Sequence, residues 1–273
     1  MFLRFIAKNR SPMKQKIYQV DAFAEKVFSG NPAAVCPLSD WLSDELMQQI
    51  AMENNLSETV FYVKKEEKVH IRWFTPMAEV DLCGHATLAA AYVLFFLEGQ
   101  PGDHISFFSH RSGDLTVQRK EDLLTLNFPS DEMKETELTE ALLAAFDIRP
   151  KLALKGRSDY LLVFENEQEV KSAQADLRQI AGLDCRGLII TARGEHVDFV
   201  SRFFAPQLGV DEDPVTGSAH TSLIPFWAKR LGKVEMTARQ LSRRRGDLLC
   251  RYLDDRVEIA GKAKLYLQGE IFI

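Results

Sequence analysis

Short runs of alternating apolar and polar residues recur along the chain, and this spacing predicts strands with one buried face. Turn residues, such as the Ser-Gly-Asn-Pro run at 29–32, separate several of these runs. The strands predicted in this way cover residues 17–23, 33–36, 58–63, 69–74, 105–108, 115–119, 123–128, 160–164, 187–191, 196–203, 248–253, 257–260 and 265–273. Strands therefore dominate the predicted fold.

Two helices are predicted in the first part of the chain. Ser43 is an expected N-cap, and two acidic residues follow it in a helix that ends near Asn54. The segment 85–97 carries no charged residue, so a helix there is apolar on every side. Such a helix must be buried all round, which strands wrapped around it would achieve.

Three more helices are predicted, over residues 137–146, 174–181 and 218–230. Pro225 lies inside the last of these and is expected to kink or interrupt it. Strands and helices do not alternate regularly along the chain. The predicted fold class is therefore α+β, with curled sheets that each surround one helix.

Two parts of the chain repeat one another. Residues 204–220 resemble residues 74–87, and the match extends upstream without a gap. At an offset of 130 residues eight positions are identical, in the pairs Gln49–Gln179, Ile50–Ile180, Ala51–Ala181, Arg72–Arg202, Phe74–Phe204, Pro76–Pro206, Val80–Val210 and Asp81–Asp211. The repeat predicts a duplicated unit in which a Gly-headed helix follows a loop with Pro.

After three inserted residues, Gly217 and Ser218 align with Gly84 and His85. A helix N-terminus presents free backbone N–H groups and a partial positive charge, which suit a carboxylate or phosphate. We expect the two Gly-headed helix ends to meet in a cleft between the halves and to form an anion site there.

The repeat also predicts the domain boundaries. Residues 1–12 are expected to be an N-terminal extension, 13–129 the N-terminal half and 130–264 the C-terminal half. The last strand, near residues 265–273, is a candidate to pair back into the N-terminal half.

Composition and charge narrow the function classes. The formal net charge of −5 and the pI near 5.8 argue against nucleic acid or an anionic membrane as the main partner. The four cysteines form no CxxC motif and favour a reducing cytoplasm. Residues 1–12 lack the apolar core and cleavage pattern of a signal peptide, and the longest uncharged run, 86–97, is too short to span a bilayer.

Glu58, at the start of a predicted strand, is the first candidate for general acid/base chemistry. Its partner at the offset of 130 is Leu188, so the two halves differ at this position. Partial burial beside Val60 and Phe61 suits a carboxyl to proton transfer near neutral pH. A solvated carboxylate at a strand end is the alternative interpretation.

Three further polar residues lie at the predicted helix ends. His85 begins the buried helix, where the helix dipole favours the neutral ring, which both donates and accepts hydrogen bonds. Asp213 precedes Pro214, so its backbone is expected to be extended and its side chain either caps the next helix or faces a substrate. Ser218 could bind a carboxylate together with backbone N–H groups. Purely structural roles are the alternative for all three.

Cys83 tests one mechanism. A two-base racemase needs an acid/base at the equivalent place in each half, and the second half has Val215-Thr216-Gly217 with no cysteine nearby. We therefore interpret Cys83 as a small apolar residue. The chain has no GxGxxG after a strand, no Walker loop and no HExxH, and its other histidines show no metal-ligand spacing, so no metal or nucleotide cofactor is predicted.

Four motifs together resemble the PhzF-like isomerase family of phenazine biosynthesis. They are GNPAAV at 30–35, SETVF at 57–61, CGHAT at 83–87 and EDPVTGSA at 212–219. The resemblance implies a diaminopimelate-epimerase-like fold of two pseudo-symmetric halves, each a curled, mostly antiparallel sheet around a central buried helix. It also implies a site in the cleft between the halves, no cofactor or metal, and a homodimer.

Carried over residue by residue, the resemblance implies catalytic roles for Glu58, His85 and Asp213. It implies substrate binding by Asn31, Gly84, Gly217 and Ser218. The function expected from it is cofactor-independent isomerisation of a small carboxylate-bearing substrate by proton transfer. An epimerase or racemase of a small amino or hydroxy acid, and a non-catalytic binding or interaction protein on the same fold, are the alternatives.

Overall fold

A computed structural model describes residues 13–273 of the chain, so the predicted extension at 1–12 lies outside the described part. Strands dominate and helices are few, which confirms the α+β class. No helix within residues 13–273 is long and apolar enough to cross a membrane.

Nine strands and two helices make up the first part of the described chain. They are β1 (Lys14–Ala22), β2 (Asn31–Leu38), α1 (Asp44–Asn54), β3 (Glu58–Lys65), β4 (Lys68–Phe74), β5 (Glu79–Val80), α2 (Gly84–Tyr92), β6 (His104–Ser109), β7 (Gly113–Lys120), β8 (Leu123–Pro129) and β9 (Lys134–Thr136).

The second part of the described chain follows a closely related plan. Its elements are α3 (Glu140–Leu143), β10 (Leu152–Lys155), β11 (Asp159–Val163), α4 (Glu167–Ser172), α5 (Leu177–Ala181), β12 (Gly187–Arg193), β13 (Phe199–Ala205), β14 (Val210–Asp213), α6 (Gly217–Leu231), β15 (Glu235–Gln240), β16 (Gly246–Leu253), β17 (Arg256–Gly261) and β18 (Ala263–Phe272).

The strand connections agree with the predicted duplication. In the first half β2 pairs in parallel with β3, β3 pairs antiparallel with β4, and β4 pairs antiparallel with β5 and in parallel with β6. In the second half β11 to β15 repeat these pairings in the same order and the same directions. A central helix follows the short fifth strand of each set, so α2 and α6 are equivalent.

The sheet register corrects the predicted alignment in one place. Phe203 pairs with Asp213 as Trp73 pairs with Val80, so the offset at these strands is 133 residues. The three inserted residues therefore precede β14, in a 3-10 turn that ends at Gly209 with φ +80°. Pairing Val80 with Val210, and Asp81 with Asp211, was wrong because the insertion had been placed after them.

A second correction concerns the partner of Glu58. Thr59 pairs with Phe74, and Leu188 pairs with Phe204. The residue equivalent to Glu58 is therefore Gly187 and not Leu188, since one residue fewer leads into the second strand. A side chain at Gly187 would meet the ring of Phe203, whose nearest atom lies 2.2 Å from the position of an added Cβ. The second half therefore has no acid/base residue at this position.

The same buried ion pair occurs in both halves. Arg72 donates from Nε and Nη2 to the two carboxylate oxygens of Glu79, at 2.7 and 2.8 Å. Arg202 does the same to Glu212, at 2.7 and 3.1 Å. A bidentate pair fixes the relative position of two segments more firmly than a single hydrogen bond does. In each half the pair ties the short fifth strand, and with it the start of the central helix, to the neighbouring strand.

Two crossing strands and one shared edge hold the halves together. β8 pairs antiparallel with its own counterpart, β17. The strand that follows each of these crosses to the other half, so that β9 pairs with β10 and β18 pairs with β1. The buried side chains of α2 and α6 belong to one continuous hydrophobic core. The cleft between the halves is therefore held rigidly.

The central helices differ partly from the predictions. α2 is buried on all sides as expected, but its last turn, Val93–Leu97, is π-helical and leaves Phe96 and Leu97 more than a third exposed. α6 runs through Pro225 without interruption. The carbonyl of Thr221, which Pro225 cannot bond, accepts the backbone N–H of Asp131 at 3.0 Å instead. This external donor removes much of the usual cost of proline in a helix.

The helices before the second central helix were predicted less well. The helix predicted over 137–146 is only the four-residue α3, because the following chain turns to bury Phe146 in a separate core cluster. The helix predicted over 174–181 shortens to α5, whose N-cap Asp176 accepts from two backbone N–H groups. The helix α4 was not predicted.

Candidate active site

The two Gly-headed helix ends face each other, as predicted. A Cβ built on Gly217 would lie 3.6 Å from the Cα of Gly84. Neither N-cap residue, Cys83 in the first half or Thr216 in the second, caps its helix through a side-chain hydrogen bond. The first N–H groups of both helices therefore have no side-chain acceptor, and both partial positive charges point at the same small region.

Glu58 and His85 are brought into contact on the first-half side of this region. Glu58 is the first residue of β3, directly after a turn in which Asn55 has φ 49°. Its Oε2 lies 3.0 Å from His85 Nε2. The pair is close but not aligned as a hydrogen bond, and Oε2 is a buried acceptor without a hydrogen-bond partner within residues 13–273. A buried acceptor without a donor is available to a ligand.

Asn31 joins the two halves at the site. Its Nδ2 donates to Asp213 Oδ1 at 2.8 Å and to the carbonyl oxygen of Val215 at 2.9 Å. The same nitrogen lies 3.1 Å from His85 Nδ1. The side chain is completely buried, and its Oδ1 has no hydrogen-bond partner in the described chain. Asn31 therefore holds residues of both halves together and leaves one acceptor for a ligand.

Asp213, at the end of β14, is held by several donors and one amide. Thr216 Oγ1 donates to its Oδ2, and Asn31 donates to its Oδ1. Gln240 donates from Nε2 to its backbone carbonyl at 2.7 Å. Burial raises the pKa of Asp213 to about 6, and the Glu58 charge acts in the same direction, whereas His85 and the hydrogen bonds oppose the rise. Asp213 is thus a carboxyl that changes protonation state near neutral pH.

His85 and Cys83 form the remaining side of the cluster. Cys83 Sγ lies 3.5 Å from His85 Nδ1. Burial raises the pKa of the Cys83 thiol to about 11, so the thiol is neutral at pH 7. Burial alone would lower the pKa of His85, but the charges of Cys83 and Glu58 outweigh it and raise that pKa well above its ordinary value. At pH 7 only Glu58 supplies such a charge, since the thiol is neutral.

These contacts change two predictions. The neutral ring expected at His85 from the helix dipole is opposed by the adjacent carboxylate, which favours the charged ring. Cys83 does not serve only as a small apolar residue, because its sulfur contacts the imidazole at the centre of the cluster.

Ser218 faces the cleft from the second half, where Arg186 fixes its hydroxyl. Arg186 donates from Nη1 to Ser218 Oγ at 2.9 Å. Its other N–H groups bind both carboxylate oxygens of buried Asp159. Because the Ser218 oxygen already accepts from a cation, its own O–H is free to donate to a ligand. Sequence patterns did not identify Arg186.

With this geometry in view, the comparison with known families is decisive. The model of the PhzC-PhzF family, described as phenazine biosynthesis-like protein, matches residues 20–269. The chain belongs to this family. The resemblance found from the motifs at residues 30–35, 57–61, 83–87 and 212–219 is thereby confirmed.

The relatives extend this result. An uncharacterised isomerase of Pseudomonas aeruginosa is 52% identical over 259 residues, which are 95% of this chain and 99% of the relative. The crystal structure of a PhzF-family phenazine biosynthesis protein from Enterococcus faecalis is 46% identical, with a TM-score of 0.93 over 96% of this chain and 100% of that one. As a member of this family, the protein is an isomerase.

A more distant likeness concerns the fold alone. A probable proline racemase from Agrobacterium radiobacter is 7% identical, with a TM-score of 0.66 over 94% of this chain and 92% of that one. This phenazine biosynthesis-like isomerase therefore has the epimerase-like fold of two related halves that the resemblance implied.

The raised pKa of Asp213 gives a prediction about stability in this phenazine biosynthesis-like protein. The folded form holds the proton up to about pH 6, whereas an ordinary Asp releases it near 3.8. The folded state therefore binds more protons in this window, and stability is lost as the pH rises from about 4 to about 6. The variant Asp213→Asn lacks this loss. We expect its free energy of unfolding, minus that of the wild type, to increase between pH 4 and pH 6 in urea titrations. A difference independent of pH would contradict the assignment.

Proposed function

We propose that this protein is a cofactor-independent isomerase that moves a proton between two carbon atoms of a small carboxylate-bearing substrate. The observation that carries the proposal is the contact of Glu58 with His85 beside two facing helix N-termini. An acid/base group and an anion site then lie within reach of one small molecule. The substrate's carboxylate would be held at the helix ends, and a carbon next to its unsaturated or acidic part would face Glu58.

Glu58 acts first as the base in this proposal. Its carboxylate takes a proton from one carbon, the electron pair left behind shifts along the substrate, and the protonated Glu58 returns the proton to another carbon. No atom is lost and no electron is gained, so the reaction is an isomerisation. His85 stabilises the Glu58 carboxylate between the two transfers, and Asp213, through Asn31, keeps the ring in position. General acid–base catalysis of this kind is typically worth about 10²–10⁴-fold.

Binding of the substrate's carboxylate is assigned to the second half. The N–H groups at Gly217 and Ser218 begin a helix of 15 residues, and the Ser218 hydroxyl is free to donate. Gly84 completes the anion site from the facing helix. Glycine at both positions matters because a larger side chain would fill the narrow space between the helix ends.

A racemase that uses two opposed bases fits the site less well. The residue equivalent to Glu58 is Gly187, and the residue equivalent to Cys83 is Thr216, whose hydroxyl already donates to Asp213. Neither of these second-half residues can remove a proton from carbon. The acid/base groups therefore do not face each other across the cleft in related pairs.

The experiment that tests the function is a screen for solvent deuterium. The wild-type protein is incubated in D₂O with a set of small unsaturated carboxylates, and the products are analysed by mass spectrometry and proton NMR. We expect deuterium at a carbon different from the one that lost its proton. Exchange at a single carbon with inversion would overturn the proposal in favour of epimerisation.

Carboxylate binding gives a separate prediction. Ser218→Ala removes one hydrogen bond to a charged ligand, and such bonds are worth about 1.5–3 kcal/mol, so affinity for a bound carboxylate should fall roughly 10–100-fold. Ser222→Ala is the matched control, since Ser222 lies one turn further along α6 and binds Asp131. Calorimetric titration of a carboxylate found in the screen measures both variants. An equal loss in both would contradict the assignment of Ser218.

Three further properties belong to the proposal. Proton transfer by side chains needs no cofactor, so activity should survive gel filtration after chelator treatment. The homodimer and the cytoplasmic location implied by the resemblance and the cysteine pattern stay predictions. Light scattering during size-exclusion chromatography tests the first, and fractionation of cells tests the second.

A further inference from the structure

Three side chains of the cluster have the chemistry of metal ligands. Glu58, Cys83 and His85 each offer one ligand atom, and these atoms lie within 4.8 Å of one another. His85 Nε2 is 3.0 Å from Glu58 Oε2 and 4.0 Å from Cys83 Sγ. A tetrahedral zinc site with one sulfur, one nitrogen and one oxygen ligand has ligand-to-ligand distances of roughly 3.3–3.7 Å. The two measured distances lie on either side of this range, so small side-chain movements suffice.

Burial and hydrogen bonding support a bound ion at this place. Cys83 and His85 are buried, whereas Glu58 keeps some exposure and so leaves a path from the cleft. Glu58 Oε2 is buried without a hydrogen-bond partner in the described chain. A ligand set of thiolate, imidazole and carboxylate selects borderline or soft divalent ions over Mg²⁺ or Ca²⁺.

The hydrogen bonds of His85 permit coordination through Nε2. A metal-bound Nε2 requires the ring proton on Nδ1, which is incompatible with a hydrogen bond accepted there from Asn31. The two protons of Asn31 Nδ2 have shorter partners, however, in Asp213 Oδ1 and the carbonyl oxygen of Val215. Nothing therefore obliges Nδ1 to accept, and its N–H can point to Cys83 or to a water molecule.

We propose that Glu58, Cys83 and His85 bind one thiophilic divalent cation, such as Zn²⁺ or Cd²⁺, with the fourth position open to the cleft. Three protein ligands and an open position are the pattern of an accessible zinc site. The ion is an inhibitor and not a cofactor, because it occupies the carboxylate that the proposed function needs as a base. That inhibitory consequence rests on the proposed function, whereas the binding itself does not.

The test is a titration of metal-free wild-type protein with Cd²⁺, followed by the ultraviolet charge-transfer absorption of a cadmium–thiolate bond. We expect this absorption to saturate at one equivalent of the ion. Cys83→Ala should abolish it and weaken Cd²⁺ binding at least about tenfold, since even the loss of supporting contacts costs that much in metal sites. Glu58→Gln should keep the absorption but bind Cd²⁺ at least about tenfold more weakly.

Cys185→Ala is the matched control, because Cys185 is a free and partly exposed cysteine outside the cluster. It should titrate as the wild type does. As a second measurement, Zn²⁺ should raise the thermal unfolding temperature of the wild type and of Cys185→Ala, but not that of Cys83→Ala. Should Cys83→Ala fail to fold, Cys83→Ser replaces it, with the same loss expected. The absence of thiolate absorption in the wild type, or its survival in a folded Cys83 variant, would overturn the proposal whatever the enzyme's activity proves to be.

Discussion

The variant Glu58→Gln is expected to lose turnover and solvent-deuterium exchange together, by about 10²–10⁴-fold. The amide has the size of the carboxyl but cannot take up a proton from carbon. Substrate affinity should change little, because the anion site lies at Gly217 and Ser218 on the other half. Steady-state kinetics and exchange rates on the substrate identified by the screen measure the effect.

The control for this variant is Glu53→Gln, which alters an exposed carboxylate on α1 in the same half. It should keep wild-type activity. The thermal unfolding temperature of Glu58→Gln should stay near that of the wild type, because Glu58 Oε2 makes no hydrogen bond that the amide would break. Exchange that persists at the wild-type rate in Glu58→Gln would assign the proton transfer to another group of the cluster.

The variant Gly30→Ala is expected to reduce both stability and activity. Gly30 has φ +70°, a conformation unfavourable for alanine, and an added Cβ would lie 2.1 Å from the carbonyl oxygen of Ala22. The backbone must move to relieve this contact, and the next residue is Asn31, which joins the two halves. We expect the free energy of unfolding to fall by at least about 2 kcal/mol, the size of strong local backbone strain. Activity should fall as well, because Asn31 is displaced.

Gly99→Ala separates the two causes. Gly99 has φ +67°, almost the same conformation, but nothing lies within 4 Å of its added Cβ. Only the conformational cost remains there, about 1 kcal/mol. Urea unfolding and activity assays on both variants provide the comparison. Equal losses of stability, or unchanged activity in Gly30→Ala, would contradict the role given to this contact.

The duplication was predictable because it leaves a direct trace in the sequence. Arg72 and Arg202 are identical at the common offset, and the structure shows why, since each forms the same bidentate pair with a glutamate. The Gly-Asp-Leu run at 113–115 returns at 246–248, where β7 and β16 begin, and would have revealed the offset of 133. Glycines at the two helix starts likewise indicated the position of the cleft.

Other features depend on contacts that no local pattern contains. Pro225 predicts a broken helix unless one knows that Asp131 supplies the missing donor. Arg186 looks like any surface arginine in the sequence, and only the fold places it between Asp159 and Ser218. Cys83 appeared inert because its neighbours along the chain do not show that the His85 ring turns back onto the sulfur. Long-range contacts of this kind define the site's chemistry.

A crystal structure of Glu58→Gln with the exchanging substrate bound would test the central claim most directly. The variant should trap the substrate because it binds the molecule without turning it over. The account predicts the substrate's carboxylate at the N–H groups of Gly217 and Ser218, and the carbon that loses its proton roughly 3–3.5 Å from the amide at position 58. A carboxylate bound away from the facing helix ends, or a reacting carbon far from position 58, would contradict it.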